Sequence, residues 1–249
     1  MCLIVIGWQA HPGFPLVVAA NRDEFYARPT APAGRWPENP HVLGGRDLEA
    51  GGTWLGATEG GRFAAVTNVR EPGTPKGRRS RGELTRDFLL GSKAAQDYVE
   101  GIDGSDYSGF NLLVSDGAGL WYASNRDSRP RRLPPGIYGL SNHLLDTPWP
   151  KLVAARQRFS SALAELPATD RLFAILADDE VVADEYLPQT GVSLEWERRL
   201  SAIFVRSPAY GTRASTVLVQ EGGGAISLEE RSFGPNGQPL QSSLISTGI

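Results

Sequence analysis

Short runs of β-branched and aliphatic residues recur along this chain in pairs, and this recurrence limits the folds that it can adopt. Turn signals such as HPGFP (11–15), EGG (59–61) and GGG (222–224) separate the members of a pair. Runs separated in this way are typical of antiparallel strands. The predicted pairs are 2–8 with 15–24, 53–58 with 62–69, GFNLLVSD with GLWYASN (109–125), and RASTVLVQ with AISLEERSF (213–233).

Proline and glycine set the limits of these elements, because 18 prolines and 29 glycines leave little room for long helices. Proline cannot donate to a strand ladder, so the proline-rich segment 28–41 is predicted to be a long surface loop. The polar tail from Gly234 is predicted to pack loosely. Apolar residues at helical spacing predict helices over 81–102, 147–166 and 193–204. We therefore predict an α+β fold with mostly antiparallel sheets, in a single domain over 1–249, because no linker or repeat divides the chain.

Composition excludes several function classes. The net charge of -3 argues against a nucleic-acid-binding protein, and no apolar run is long enough to cross a bilayer. A single cysteine excludes an internal disulfide or a cysteine-based zinc site, and the acidic segment 178–185 lacks the ligand spacing of a metal loop. No signal-peptide pattern is recognised at the N-terminus, so we expect a cytoplasmic protein with no metal ion.

The only cysteine is Cys2, directly after the initiator methionine. Methionine is generally removed before a small residue, which would give Cys2 a free α-amine as well as a thiol. That amine titrates near neutral pH, so one residue would carry both a nucleophile and a base. The alternative is that Cys2 serves as a small hydrophobic residue at the start of a strand.

Polar residues lie where several apolar runs begin or end. Such residues are disfavoured inside strands, so their joint occurrence predicts a polar cluster at one edge of a sheet. Each one alone is also compatible with a turn cap or a surface charge. The residues are Asn21, Asp23, Asn68, Asn142 and Arg213.

The stretch AANRDEF (19–25) resembles the signature of the NRDE family, which includes the eukaryotic transport and Golgi organisation proteins. Further blocks resemble that family in the same order over nearly the whole chain. They are GGRDLEAGGTWLG (44–56), FAAVTNVREP (63–72), GLSNHLLDTPWPK (139–151) and YGTRASTVLV (210–219). More distantly, the pattern is similar to the cysteine N-terminal nucleophile hydrolases of the penicillin V acylase and choloylglycine hydrolase group. This similarity implies an αββα sandwich of two mostly antiparallel sheets flanked by helices.

The similarity to these acylases also implies residue roles. Cys2 would be the nucleophile, Asp23 would hold its α-amine, and Asn68 and Asn142 would form the oxyanion hole. Arg213 would lie near the thiol and favour the thiolate, so we expect an electropositive site that lowers the thiol pKa. The acylases have an arginine before the signature asparagine, where this chain has Ala20.

Four further residues are predicted to contact the bound molecule. Arg22 could replace the arginine missing at position 20, although strand alternation could direct it elsewhere. Trp54 could line an apolar pocket. Asn21 belongs to the signature, and His143 adjoins Asn142.

The resemblance leaves two main functions open. The first is hydrolysis of an amide or ester of a small acyl substrate, with no cofactor. The second is non-catalytic binding and trafficking of haem, a lipid or acyl-CoA in the same cleft, with His143 as the best axial-ligand candidate among the three histidines. A third alternative is an interaction scaffold in which the polar strand ends only cap turns. A small molecule, and not a nucleic acid, is the expected partner.

Overall fold

Two antiparallel sheets form the framework of residues 2–248, the part of the chain that the computed structural model describes. One sheet contains β1 (Cys2–His11), β2 (Phe14–Phe25), β10 (Gly136–Leu140), β11 (Tyr210–Gln220), β12 (Ile226–Phe233) and β13 (Pro239–Ser246). Its strand order is β10-β1-β2-β11-β12-β13. The other sheet follows the chain in the order β3 (Thr30–Trp36), β4 (Asn39–Asp47), β5 (Leu55–Thr58), β6 (Phe63–Asn68), β7 (Phe110–Ser115), β8 (Leu120–Ser124) and β9 (Arg131–Leu133).

Helices cover the outer faces of both sheets. The longer helices are α1 (Arg81–Leu90), α2 (Ala95–Glu100), α3 (Pro150–Ala162), α4 (Asp170–Leu176) and α5 (Leu194–Arg199). The apolar clusters of α1 and α2 include residues of the seven-stranded sheet, and those of α3 and α4 include residues of the six-stranded sheet. This arrangement confirms the predicted αββα sandwich. No helix in residues 2–248 is long and apolar enough to cross a membrane.

Strand alternation divides the core into layers. On β1, Ile4 and Ile6 belong to a cluster that draws on both sheets, whereas Leu3 and Val5 pack with α3 and α4. Successive side chains on a strand point to opposite faces, so each sheet buries both of its surfaces. The strands are therefore continuous apolar runs over most of their length. They become polar only at the end of the sandwich where β1 begins and β2 ends, which we call the polar end.

Segment 28–41 corrects the sequence-based prediction of a long surface loop. It contains β3 and the start of β4, joined by a short turn. Because β3 is an edge strand with irregular pairing, Pro32 does not interrupt a central ladder. The prediction of loose packing after Gly234 is also wrong, because β13 pairs with β12 along most of its length.

The predicted helices exist, but their limits differ. The segment 81–102 forms two helices, since α1 ends at Leu90 and α2 begins only at Ala95. The helix predicted over 147–166 begins at Pro150 and continues as a short 3-10 helix after Ala162. Ser193 caps α5 by accepting a hydrogen bond from the backbone N–H of Trp196.

Candidate active site

A cavity of about 640 Å³ opens at the polar end of the sandwich, where β1 begins and β2 and β6 end. Four of the five residues predicted to be catalytic lie on its wall, namely Cys2, Asp23, Asn68 and Arg213. Arg22 and Trp54, which were predicted to contact the bound molecule, also line it. The fold thus brings together residues that are separated by up to about 210 positions in the chain.

Cys2 is the first residue of β1 and pairs with Arg22 on β2. Its backbone carbonyl accepts a hydrogen bond of 3.2 Å from Ser141 Oγ. The side chain is buried, and this burial raises the pKa of the Cys2 thiol; Asp23 also raises it, whereas Arg22 lowers it. With Met1 attached, burial outweighs the N-terminal ammonium and Arg22, which both lower the thiol pKa; the lowering expected for a chain that begins at Cys2 stays a prediction.

Asp23 lies in a buried polar group at the end of β2. Its Oδ1 accepts a hydrogen bond of 2.7 Å from Thr212 Oγ1, and the same hydroxyl accepts one of 2.8 Å from the Val205 backbone N–H. Burial raises the pKa of the Asp23 carboxyl, against the opposing influence of Lys151, Thr212 and Arg70. Asp23 is thus held in a fixed orientation among cationic neighbours.

Lys151 was not singled out in the sequence, yet it is buried beside this group. Its Nζ donates to the carbonyl oxygens of Leu200 at 2.8 Å and Ala202 at 3.3 Å. Burial lowers the pKa of Lys151 to about 8, with Asp23 opposing this shift and Arg70 adding to it. The residue lies in the first turn of an amphipathic helix, where a lysine gives no sign of being buried.

The two predicted oxyanion-hole asparagines form one hydrogen-bonded pair. Asn142 Nδ2 donates to Asn68 Oδ1 at 2.8 Å, and the Asn142 backbone oxygen accepts from the Arg70 N–H at 2.7 Å. Asn68 lines the cavity, whereas Asn142 is fully buried and does not. This geometry places Asn142 behind Asn68, in contact with both β6 and the segment after β10.

Arg213 occupies a β-bulge at the start of β11. Thr212 pairs with Asp23 and Ala214 pairs with Arg22, so Arg213 is the extra residue between them. Its Nη1 donates to the backbone oxygens of Phe25 and Arg28. The bulge thereby presents the Arg213 side chain at the cavity wall.

Arg22 lies directly opposite Cys2, so alternation directs it into the cavity. Its Nη1 donates to Thr30 Oγ1 at 3.4 Å, and its Nη2 lies 3.9 Å from Glu24 Oε2. Ala20, in contrast, packs in the apolar core between the sheets. A guanidinium is therefore present in the cavity even though position 20 carries none.

Asn21 does not line the cavity. It is fully buried, and its Nδ2 donates to the backbone oxygens of Leu176 at 2.8 Å and Ile203 at 2.9 Å. Ser215 Oγ donates to its Oδ1 at 2.6 Å. These bonds tie β2 to the chain outside the sheet, so the amide has a structural role at this position.

The histidines also lie away from the cavity. His143 is exposed, its Nδ1 lies 2.9 Å from Thr147 Oγ1, and neither it, His11 nor His41 lines the wall. None of the three histidines is therefore placed to ligate a haem in this cavity, and haem binding itself stays a prediction. No group of histidine, cysteine and carboxylate side chains in residues 2–248 could hold a metal ion.

A buried ion pair connects the asparagine pair to another wall of the cavity. Arg70 Nη1 donates to Glu197 Oε2 at 2.8 Å, and both side chains are almost completely buried. Glu197 lies on α5, next to the wall residue Trp196. The pair was missed in the sequence because the two charges are 127 residues apart and each is locally ordinary.

Comparison with solved structures identifies the fold. An N-acylethanolamine-hydrolyzing acid amidase ortholog from Caenorhabditis elegans superposes with a TM-score of 0.53 at 14% identity, over 88% of this chain and 92% of that one. The mutant C2A conjugated bile acid hydrolase from Clostridium perfringens gives 0.53 at 9% identity, over 98% and 92%. At these identities the likeness concerns the fold alone, and that fold is the N-terminal nucleophile hydrolase sandwich.

Comparison of sequences identifies the family. The family model for transport and Golgi organisation 2 matches residues 1–235. The transport and Golgi organization protein 2 homologs of Bos taurus and Homo sapiens are 38% and 36% identical, each over 94% of this chain and 93% of theirs. The Drosophila melanogaster protein is 28% identical over 96% and 95%. The chain belongs to the transport and Golgi organisation 2 family, as the NRDE-type motifs predicted.

Proposed function

We propose that this protein is a cysteine N-terminal nucleophile hydrolase that cleaves an amide or ester of a small acyl substrate. The observation that carries the proposal is the convergence of Cys2, Asp23, Asn68 and Arg213 on one cavity. The likeness to two hydrolases supports it at the level of the fold. Fold alone does not define activity, so the site carries the argument.

The proposed reaction begins once Met1 has been removed. The α-amine of Cys2 accepts the thiol proton, and the sulfur attacks the acyl carbonyl. The tetrahedral oxyanion accepts hydrogen bonds from Asn68, which Asn142 holds in place. The carbon–nitrogen or carbon–oxygen bond then breaks as the amine returns the proton to the leaving group. Water attacks the thioester with the amine as base, which releases the carboxylic acid and restores the thiol.

Asp23 would orient the α-amine in this reaction. A buried carboxylate next to an amine favours its protonated form, so it stabilises the charge that develops when the thiol proton moves. Arg22 and Arg213 would favour the thiolate against the effect of burial. Removal of Met1 would place the base on the same residue as the thiol.

The experiment compares wild type, Cys2→Ala and Cys2→Ser on a panel of fluorogenic acyl amides and esters. Each protein is expressed without a tag, and its intact mass establishes whether Met1 has been removed. We expect Cys2→Ala to lower kcat/KM by about 10³-fold or more, because no nucleophile remains. Turnover that is equal in wild type and Cys2→Ala would refute hydrolysis at this site.

The buried thiol with its raised pKa favours a second candidate, a binding protein that holds a lipid or another apolar ligand without cleaving it. Trp54, Trp196 and Tyr210 would supply the apolar wall. On this proposal Cys2→Ala binds a fluorescent fatty acid as tightly as wild type, and neither protein hydrolyses any member of the panel. Because no histidine lines the cavity, haem bound in it would have no histidine ligand. A Soret shift typical of histidine ligation that disappears in His143→Ala would therefore contradict the position of His143 outside the cavity.

A further inference from the structure

Two guanidinium groups on the wall of the cavity, those of Arg81 and Arg213, have no ion-pair partner among the described residues. Arg22, Arg81 and Arg213 all lie on this wall, and the same carboxylate, Glu24, acts on all three. Glu24 forms an ion pair only with Arg22, at 3.9 Å, and within residues 2–248 Arg81 and Arg213 form none. Glu230, a buried carboxyl on the same wall, also acts on Arg22, so Arg22 has two acidic neighbours, whereas Arg81 and Arg213 have no ion-pair partner among the described residues.

The other charged groups that the structure describes nearby do not form ion pairs with Arg81 or Arg213. Arg28 also faces the cavity, but Asp47 at 2.7 Å and Glu49 at 2.9 Å already pair with it. Glu71 acts on Arg81 from a distance, but Arg126 binds both of its carboxylate oxygens at 2.8 Å. A thiolate at Cys2 would neutralise at most one of the two unpaired guanidiniums, which still leaves one without a partner in the described part of the chain.

Arg81 is the guanidinium best placed to bind an anion. It is half-buried, and its Nη1 donates to the backbone oxygen of Gly109 at 3.1 Å, which fixes the side chain. A guanidinium has five N–H donors in a planar fork that matches carboxylate and phosphate groups. Charges taken out of water need a partner, so a fixed guanidinium on a cavity wall favours an anionic ligand.

Apolar side chains line the same cavity. Trp54, Trp196 and Tyr210 lie on its wall together with Phe25 and Leu240, which are exposed by 53% and 62%. Large exposed apolar side chains beside a cavity favour a ligand with an apolar part. The cavity thus offers both an anion-binding group and an apolar surface.

We propose that the molecule bound in this cavity is an acyl compound that carries a carboxylate or phosphate group, and that Arg81, assisted by Arg213, binds this anionic group. This inference deepens the proposed function and rests on it for the cavity being the substrate site. It adds Arg81, which no sequence motif had singled out, as a residue that determines ligand specificity.

The test measures binding to the Cys2→Ala protein by isothermal titration calorimetry, so that no turnover intervenes. The probes are hexyl phosphate, hexanoate and hexan-1-ol, which have the same number of carbon atoms and differ in charge, and inorganic phosphate, which lacks the alkyl chain. We expect at least one of the two anionic amphiphiles to bind about tenfold or more tightly than hexan-1-ol, and to bind more tightly than inorganic phosphate. The stronger of the two then shows whether the site prefers phosphate or carboxylate.

Arg81→Met and Arg78→Met, each in the Cys2→Ala background, provide the matched comparison. Arg78 lies three residues before Arg81, in the segment that leads into α1, but its side chain is 81% exposed and it does not line the cavity. We expect Arg81→Met to lose about tenfold or more in affinity for the anionic amphiphile, Arg81→Lys to recover part of it, and Arg78→Met to change nothing. Circular dichroism confirms that each variant is folded.

Three results would overturn the proposal. The first is that hexyl phosphate, hexanoate and hexan-1-ol bind with equal affinity. The second is that Arg78→Met and folded Arg81→Met lose equal affinity for the anionic amphiphile. The third is that inorganic phosphate binds as tightly as hexyl phosphate. Should Arg81→Met fail to fold, Arg81→Lys and the probe comparison in the parent protein still decide the matter. Absence of hydrolysis by wild type would refute the proposed activity but would leave these affinities unchanged, so the two failures are distinguishable.

Discussion

The middle of the sandwich and its polar end are built from the same strands but bury opposite kinds of side chain. In the middle, Ile6, Val18 and Leu218 pack in the apolar core between the sheets. At the end, Cys2 and Arg22 continue the strands β1 and β2 into a charged cavity. The pairing of β1 with β2 is unbroken from Cys2 to Trp8, whereas the pairing of β2 with β11 is interrupted at the polar end by the bulge at Arg213. The two regions therefore differ mainly in their side chains and, at this one position, in the backbone.

This difference shows which region of the fold lowers the free energy of unfolding. Apolar burial in the middle stabilises the folded state, whereas burying a charge is unfavourable unless partners compensate it. The polar end supplies such partners, including Thr212 for Asp23 and Glu197 for Arg70. Charged residues that are buried at such a cost in stability are candidates for function. Variants in the two regions should therefore have separable effects on stability and on activity.

The largest expected effect on the reaction comes from Asp23→Asn. The amide has nearly the same shape but no charge to hold the Cys2 amine, so we expect kcat/KM to fall by about 10³–10⁴-fold. Steady-state hydrolysis of the best acyl amide measures this. Asp184→Asn, at an exposed carboxylate, is the control and should leave turnover unchanged. A loss of less than twofold in Asp23→Asn would show that the polar end is structural.

Asn68→Ala should have the next largest effect. It removes a predicted oxyanion donor from the cavity wall, and loss of one such donor typically lowers kcat by about 10²–10³-fold with little change in KM. Separate determination of kcat and KM tests this. If KM rises while kcat stays constant, Asn68 binds the ground state and the oxyanion assignment is wrong.

Leu218→Ala should have the opposite signature, because Leu218 is fully buried in the middle of the sandwich. We expect the free energy of unfolding to fall by about 2–5 kcal/mol, from lost burial and the cavity that remains. Turnover per folded molecule should change by less than about twofold. Urea unfolding and activity measured on the same samples test this. A hundredfold loss of activity in folded Leu218→Ala would break the separation of the two regions.

The smallest expected effect is a pH dependence of stability at Lys151. Its pKa is lowered to about 8 in the folded state by burial, so the cost of burying the charge is full below that pH. Between this pH and the ordinary lysine pKa, the folded protein has lost the Lys151 proton while the unfolded chain still holds it. The folded state is therefore stabilised as pH rises through this range. Relative to Lys151→Met, wild type should therefore gain about 1–3 kcal/mol of stability between pH 7 and pH 10.

Urea unfolding of both proteins across this pH range measures the gain. Lys93→Met, at an exposed lysine, serves as the control, and its difference from wild type should not depend on pH in this way. A constant difference between wild type and Lys151→Met would mean that Lys151 is not charged at a cost in the folded protein.

Most of the middle of the sandwich could be predicted from the sequence, because alternation and turn residues act locally. The pairs β1–β2, β7–β8 and β11–β12 follow directly from apolar runs and the turns between them. Segment 28–41 was predicted wrongly because the proline rule applies to central strands, and nothing in the sequence places β3 at an edge.

The polar end was only partly predictable. Cys2 and the polar strand ends pointed to it, since each departs from what its strand favours. Lys151, Arg70 and Arg81 gave no such sign, because a cation in a helix or loop is ordinary until the fold buries it. Their contacts join segments far apart in the chain, and local pattern contains no information on such pairing.

The most direct test of the central claim is the intact mass of untagged wild-type protein before and after brief exposure to an activated acyl ester. The account predicts a chain that begins at Cys2 and gains the mass of one acyl group, which peptide mapping locates on Cys2 and which Cys2→Ala does not acquire. A chain that begins at Cys2 but remains unmodified, or that is modified equally in Cys2→Ala, would contradict the account.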